Sequence, residues 1–175
     1  MRPDILTSEG RYFNFVTPEQ NIFGVEEIAH ALAHVCRFAG HTREFYSVAQ
    51  HSVHASYLVH REHALAALMH DAAEAFIGDV TSPLKQLLPA YKVIEKRLER
   101  VIFAKFGLAW PMHPDVKRAD LIMLATEQRD LMPAHADQWE WELTGDIRPL
   151  PVTISPVAPS VAKQWFLQRH MELTQ

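Results

Sequence analysis

The chain has 175 residues, of which 48% are hydrophobic and 22% are charged, and its formal net charge is −4. This length and composition predict one globular domain with a sizeable core, and the negative charge does not favour a general nucleic-acid-binding protein. The single cysteine excludes an internal disulfide and a multi-cysteine zinc site. Because the sequence shows neither a signal peptide nor an apolar run of about 20 residues, we expect a cytoplasmic protein without a membrane segment.

The first 24 residues are predicted to form an irregular arm, in which residues 11–16 make a short strand or one arm of a hairpin. Apolar residues at helical spacing then predict a first helix that begins near Glu26 and ends at Gly40.

The rest of the chain is predicted to be mainly helical. A turn at residues 79–83 should precede a short helix, and prolines exclude a helix between Pro149 and Pro159. We therefore predict an all-α, single-domain helical bundle over residues 25–175, preceded by a short extended arm over residues 1–24. The remaining helices are expected to begin near residue 47 and to span about residues 62–76, 89–106, 114–131 and 160–173.

The clearest chemical motif is the pair His70-Asp71 in the third predicted helix. Adjacent residues on a helix point about 100° apart, so the two side chains share a metal ion only if other helices supply further ligands. His51 on the preceding helix and Asp120 on a mostly apolar helix are the predicted additional ligands. Two imidazoles and two carboxylates suit one divalent ion, and the sequence does not distinguish among Mn, Co, Zn, Fe and Mg.

The order of these four residues resembles the H…HD…D pattern of the HD-domain phosphohydrolase superfamily. The similarity is specific to the HD-domain 5′-deoxynucleotidases and the related phage dATP triphosphohydrolases, and it covers roughly residues 25–132. It implies an HD-type helical bundle whose metal-binding core lies in that range. The stretches that carry it are HDAAEAFIGDVTSPLK (70–85), SVAQHS (47–52) and KRAD (117–120).

The resemblance implies catalytic roles for two further carboxylates. Glu74 would position or deprotonate the attacking water, and Asp79 would face the sugar or the leaving group. Asp79 also has a purely structural interpretation, since it precedes a short helix that it could cap.

The resemblance also implies a set of substrate-binding residues. Arg37, Lys85 and Lys117 would bind phosphate through charge and hydrogen bonds. Phe38 stands where relatives carry a tryptophan, and it would stack on the base or sugar. Arg37 has a structural alternative, because a cation there could offset the C-terminal end of the first helix.

These roles together imply a metal-dependent nucleotide phosphohydrolase, most simply a (deoxy)nucleoside 5′-monophosphate phosphatase. The alternatives are a dATP-type dNTP triphosphohydrolase, a hydrolase for an alarmone or cyclic nucleotide, and a module that senses a nucleotide without hydrolysing it. The expected partners are a nucleotide substrate and further copies of the chain in a homo-oligomer, with no nucleic-acid polymer and no membrane. The tryptophans Trp139, Trp141 and Trp165 are expected in the core or at a subunit interface.

Overall fold

A computed structural model describes residues 2–136 and 145–175 of the chain. Within these residues helices dominate and the only sheet has two short strands, so the predicted helical class is confirmed. Trp139 and Trp141 lie outside the described residues, and Trp165 is partly exposed against the edge of His54. No helix in the described part of the chain combines the length and apolar character needed to cross a membrane.

The N-terminal arm is a small antiparallel hairpin. Strand β1 (Asp4–Leu6) pairs with strand β2 (Tyr12–Asn14), and a 3₁₀ turn over Pro18–Gln20 follows. The predicted strand at residues 11–16 therefore exists as one arm of a hairpin, and its partner strand at residues 4–6 was not predicted. The buried carboxylate of Glu27 anchors the hairpin, accepting hydrogen bonds from Thr7 Oγ1 at 2.6 Å and Arg11 Nη2 at 2.8 Å.

The described residues form the helices α1 (Val25–His34), α2 (Val48–Ser56), α3 (Arg61–Leu68), α4 (Glu74–Ile77), α5 (Ser82–Gln86), α6 (Pro89–Lys105), α7 (Pro114–Leu131) and α8 (Pro159–Thr174). Helix α2 lies at the centre of the bundle, where it contacts α1, α3, α7 and α8. Ser47 caps its N-terminus by accepting a hydrogen bond from the Gln50 amide, and almost every residue of the helix is buried. Several small residues let the neighbouring helices approach, so His51 is carried into the interior with no exposed surface.

The first helix is shorter than predicted, since it ends at His34 and not at Gly40. A tight turn over Arg37–Gly40 follows, in which Phe38 and Ala39 adopt left-handed backbone angles with φ of 54° and 51°. Side chains disfavour this region, so composition offers no signal for it. The turn is held because the Arg37 amide donates to the Tyr46 carbonyl, and the Val48 amide donates to the Val35 carbonyl.

The predicted third helix is broken in two. Helix α3 ends at Leu68 and α4 begins at Glu74, and residues 69–73 between them form turns. His70 Nδ1 donates to the Ala67 carbonyl at 2.7 Å, the group that would accept from the Asp71 amide in a continuous helix. This side-chain hydrogen bond takes the place of a backbone hydrogen bond of the helix. The alanine-rich composition, which favours a continuous helix, was therefore a poor guide to this segment.

The other predicted helices are confirmed, with α6, α7 and α8 close to their expected limits. The proline-rich stretch before α8 is not helical, as predicted, and polar side chains hold it against the bundle. Gln50 of α2 donates to the Ser155 carbonyl and accepts from the Val157 amide, while Arg129 of α7 donates to the carbonyls of Leu150 and Val152.

Candidate metal centre

The four predicted metal ligands come together in the structure from three separate elements. His51 lies at the middle of α2, His70 and Asp71 lie in the break between α3 and α4, and Asp120 lies in α7. His51 Nε2 is 3.3 Å from His70 Nε2 and 3.4 Å from Asp120 Oδ1. Asp71 Oδ2 is 3.2 Å from His70 Nε2 and 3.7 Å from His51 Nε2.

These separations match those between ligands of one small cation. Metal–ligand bonds of about 2.0–2.2 Å place neighbouring ligands of an octahedral ion about 3 Å apart and opposite ligands about 4.2 Å apart. The closest pair of the set is separated by 3.2 Å, and His70 Nε2 and Asp120 Oδ1, the widest measured pair, by 3.9 Å. His51, His70 and Asp120 have ligand atoms that all lie within 4.8 Å of one another, which fits one ion, and Asp71 Oδ2 lies beside the two histidines of this group.

The protons on the two imidazoles point away from this centre. His51 Nδ1 is 2.6 Å from Glu127 Oε1, and His70 Nδ1 is 2.7 Å from the Ala67 carbonyl, which can only accept. In the neutral rings both Nε2 atoms then carry lone pairs, and these lone pairs face two carboxylate oxygens. Such a set of acceptors is satisfied by positive charge, either protons on the histidines or a bound cation, and two imidazoles with two carboxylates are a ligand set that suits a divalent metal.

The pKa shifts at the site also indicate that positive charge is stabilised next to the two carboxylates. Burial alone would lower the pKa of His70, but the carboxylates of Asp71 and Asp120 raise that pKa well above its usual value. Burial would raise the pKa of Asp71, but the two histidines hold it below its ordinary value. The carboxylates therefore stay ionised, as metal ligands need to be.

One residue of the site was not predicted from the sequence. Glu127 of α7 is fully buried, and its Oε2 accepts a hydrogen bond from Arg37 Nε at 2.9 Å while its Oε1 faces His51. Burial favours the neutral carboxyl, but Arg37 and His51 lower the pKa of Glu127. Its only sequence signal is its position seven residues after Asp120, which places both on one helix face.

Glu74 is buried beside the ligands at the start of α4. Its Oε1 is 3.5 Å from Lys85 Nζ, whereas its Oε2 is enclosed and has no hydrogen-bond partner among the described residues. Burial raises the pKa of Glu74 well above its ordinary value, and the charges of Asp71 and Asp79 add to the shift. Burial likewise raises the pKa of Asp79.

The predicted phosphate-binding residues all have carboxylate partners in this structure. Arg37 is buried, and its Nη1 is 3.6 Å from Asp71 Oδ2. Lys85 Nζ is 2.6 Å from Glu95 in addition to its contact with Glu74, and Lys117 Nζ is 2.8 Å from Asp120 Oδ2.

Phe38, the predicted base or sugar contact, is half-buried in its left-handed turn, with the Arg37 guanidinium 5.5 Å from its ring centre. Arg37 and Lys117 therefore pair with the candidate ligands Asp71 and Asp120, and Lys85 pairs with Glu74. The substrate contacts of all four residues stay predictions.

A second group of ligand-type side chains, His63, His113 and Asp115, lies closer to the surface. The two imidazole rings stack almost parallel, with centroids 3.9 Å apart and an angle of 13° between the planes. Their nitrogen lone pairs therefore run side by side and do not converge on one point. His113 Nδ1 also accepts from the Asp115 amide as the N-cap of α7, which gives this group a structural role.

Comparison with known proteins gave two relatives and no matching family model. The uncharacterized protein YfdR of Escherichia coli strain K12 is 43% identical over 171 residues, which cover 98% of this chain and 96% of YfdR. An uncharacterized protein of Rhodobacter capsulatus is 35% identical over 120 residues, which cover 63% of this chain and 61% of that protein.

Proposed function

The chain belongs to the same family as YfdR, and we propose that it is a metal-dependent phosphohydrolase of the HD type that acts on nucleotides. The preferred substrate class is a (deoxy)nucleoside 5′-monophosphate. The observation that carries the proposal is the convergence of the buried Nε2 atoms of His51 and His70 with a carboxylate oxygen of Asp120, with Asp71 Oδ2 beside them. The order of these ligands and the motif at residues 70–85 support the same assignment.

His51, His70, Asp71 and Asp120 would hold one divalent ion, drawn from Mn, Co, Zn, Fe and Mg. When bound, such an ion supplies Lewis acidity toward a phosphoryl oxygen and a lowered pKa for water. Four protein ligands leave coordination positions for water and substrate.

Glu74 would receive the proton of the attacking water. Its Oε2 has no hydrogen-bond partner among the described residues, and burial raises the pKa of Glu74, which strengthens this carboxylate as a proton acceptor. The oxygen of that water forms a bond to phosphorus, its proton passes to Glu74, and the bond between phosphorus and the sugar oxygen breaks. The departing oxygen takes a proton, for which Asp79 is the proposed source.

Lys85 and Arg37 would offset the charge of the phosphate. Lys85 is held between Glu74 and Glu95, so a phosphate that binds here competes with Glu95 for the ammonium group. Arg37 donates through Nε to Glu127, and its Nη1 is 3.6 Å from Asp71 Oδ2, so a phosphate that binds here would compete with Asp71 for the guanidinium.

Phosphate release from a nucleotide panel tests this proposal. Metal-free protein is loaded separately with Mn²⁺, Co²⁺, Zn²⁺ or Mg²⁺ and incubated with dAMP, AMP, dATP and ATP. We expect nucleoside and inorganic phosphate from dAMP with at least one metal, and no product from the Asp71→Asn variant.

The other products separate the alternatives. Triphosphate released from dATP would identify a triphosphohydrolase, and nucleotide binding without turnover would identify a sensing module. Protein that binds metal but neither turns over nor binds any nucleotide would contradict the proposal.

A further inference from the structure

Glu127 is a fully buried carboxylate with a separate hydrogen-bonding partner for each of its two oxygens. Its side chain has no exposed surface, and ionised carboxylates are costly to bury unless each oxygen is satisfied. Here the two oxygens have two different donors, Arg37 Nε at 2.9 Å and His51 Nδ1 at 2.6 Å. Glu127 therefore joins a buried arginine to a candidate metal ligand.

The hydrogen bond to His51 decides which ring nitrogen is available at the centre. When Nδ1 donates to a carboxylate, the neutral ring presents a bare Nε2 to the other ligands. A carboxylate in this position also fixes the orientation of the ring and increases the basicity of its free nitrogen. The side of His51 away from Glu127 faces His70 and Asp120, so both effects act on the site.

We propose that Glu127 is a positioning residue that holds His51 with Nε2 directed at the cation, and that Arg37 in turn holds Glu127. This inference rests on the proposed metal site. It also gives Arg37 a structural role that does not depend on substrate, because its Nε donates a hydrogen bond to Glu127.

The chain offers a matched control for Glu127 on the same helix. Asp130 is also a nearly buried carboxylate with an arginine partner, since its Oδ1 accepts from Arg129 at 2.7 Å and its Oδ2 accepts from the Ile154 amide. Among the described residues, the hydrogen-bond partners of Asp130 are Arg129 and the Ile154 amide, and neither is a candidate ligand. Asp130→Asn therefore removes a buried charge from α7 without altering the support of His51.

The first test is the protonation of His51 in the unaltered protein, which needs no variant to fold. Nitrogen NMR of histidine-labelled protein shows which ring nitrogen carries a proton. We expect His51 Nδ1 to keep its proton in both the metal-free and the Zn²⁺-loaded protein. A neutral ring with its proton on Nε2 in the metal-free protein would overturn the inference.

The second test measures Zn²⁺ affinity by competition with a chromophoric chelator. We expect Glu127→Gln to weaken binding by about 10- to 100-fold, the usual effect of losing a carboxylate behind a histidine ligand. Asp130→Asn should leave the affinity within about twofold of the unaltered protein, and circular dichroism establishes that each variant is folded. Should Glu127→Gln unfold, the double variant Arg37→Gln/Glu127→Gln removes both buried charges and provides the same measurement.

The outcomes separate this inference from the proposed function. If the unaltered protein binds Zn²⁺ and folded Glu127→Gln binds it equally well, the role of Glu127 is refuted and the metal site stands. The same holds for the double variant where it replaces Glu127→Gln. Unaltered protein that binds no metal would refute the proposed function, and with it the premise of this inference.

Discussion

At the scale of single residues, Glu74 is the side chain whose loss should separate chemistry from metal binding. Its Oε2 has no partner among the described residues, and its contacts do not include the ligand nitrogens. Glu74→Gln should therefore lower nucleotide turnover by about 10²- to 10⁴-fold, the usual contribution of a general base. Metal affinity should change little, and calorimetric titration with Mn²⁺ measures it in parallel with phosphate release.

Glu62→Gln is the control for this substitution. Glu62 is an exposed carboxylate in α3 whose contacts are with His60 and His63. The variant should retain full turnover. Equal turnover by Glu74→Gln and the unaltered protein would rule out Glu74 as the proton acceptor.

The sequence indicated the candidate ligands more clearly than the residues that contact them. His51, His70, Asp71 and Asp120 form a motif whose order and chemistry are visible in one chain, and the structure brings them together. Glu127 belongs to no motif, because a glutamate in a helix is common and only the folded structure shows that it is buried. The sequence also did not predict that each of the phosphate-binding cations would pair with a carboxylate, since these pairs depend on distances in the folded structure.

At the scale of elements, the end of α4 depends on an unusual backbone conformation at Gly78. Its φ of 76° and ψ of 164° lie in a region that only glycine occupies readily, and a Cβ there would meet no atom within 4 Å. Gly78→Ala should lower the free energy of unfolding by about 1–3 kcal/mol through backbone strain alone. Urea denaturation measures this loss, and an unchanged midpoint and slope would show that the turn can relax.

The attachment of the N-terminal hairpin to α1 should be sensitive to acid. Burial would raise the pKa of Glu27, but hydrogen bonds from Arg11, Thr7 and the Gly24 amide lower it below its ordinary value of 4.5. Because the folded pKa is depressed, the stabilisation is present above pH 4.5 and is lost as the pH falls through the folded pKa.

Glu27→Gln tests this dependence by removing the titrating group. At pH 7 the variant should be less stable than the unaltered protein by about 1–3 kcal/mol, as expected for hydrogen bonds to a charged group. The difference in unfolding free energy should shrink as the pH is lowered below 4.5. A difference that stays constant between pH 7 and pH 3 would contradict the proposed role of the ionised carboxylate.

The limits of α6, α7 and α8 were predictable because amphipathic spacing and proline or glycine boundaries act locally. The break between α3 and α4 was not predictable, since it depends on the His70 side chain competing for the Ala67 carbonyl. The left-handed turn at Phe38 and Ala39 was missed for a similar reason. Neither residue favours that conformation, which is held because residues at the turn and just before it form backbone hydrogen bonds with Tyr46 and Val48 further along the chain.

At the scale of the whole molecule, metal binding should stabilise the fold, because the ligands join α2, the break after α3, and α7. A ligand at about 100 times its dissociation constant adds about 2.7 kcal/mol to the free energy of unfolding. For a domain of this size, that corresponds to a rise in melting temperature of about 5–11 °C. Thermal unfolding with and without Mn²⁺ or Zn²⁺ measures the shift, and Asp120→Asn should abolish most of it.

The amount of metal bound per chain tests the central claim most directly. Protein stripped with a chelator, dialysed against Mn²⁺ or Zn²⁺ and analysed by elemental mass spectrometry should contain about one ion per chain. The variants His51→Ala and Asp120→Asn should each lose most of that ion, whereas Asp115→Asn, in the group near the surface, should retain it. Metal-free protein after dialysis, or an equal metal content in all four proteins, would contradict the assignment of His51, His70, Asp71 and Asp120 as a metal centre.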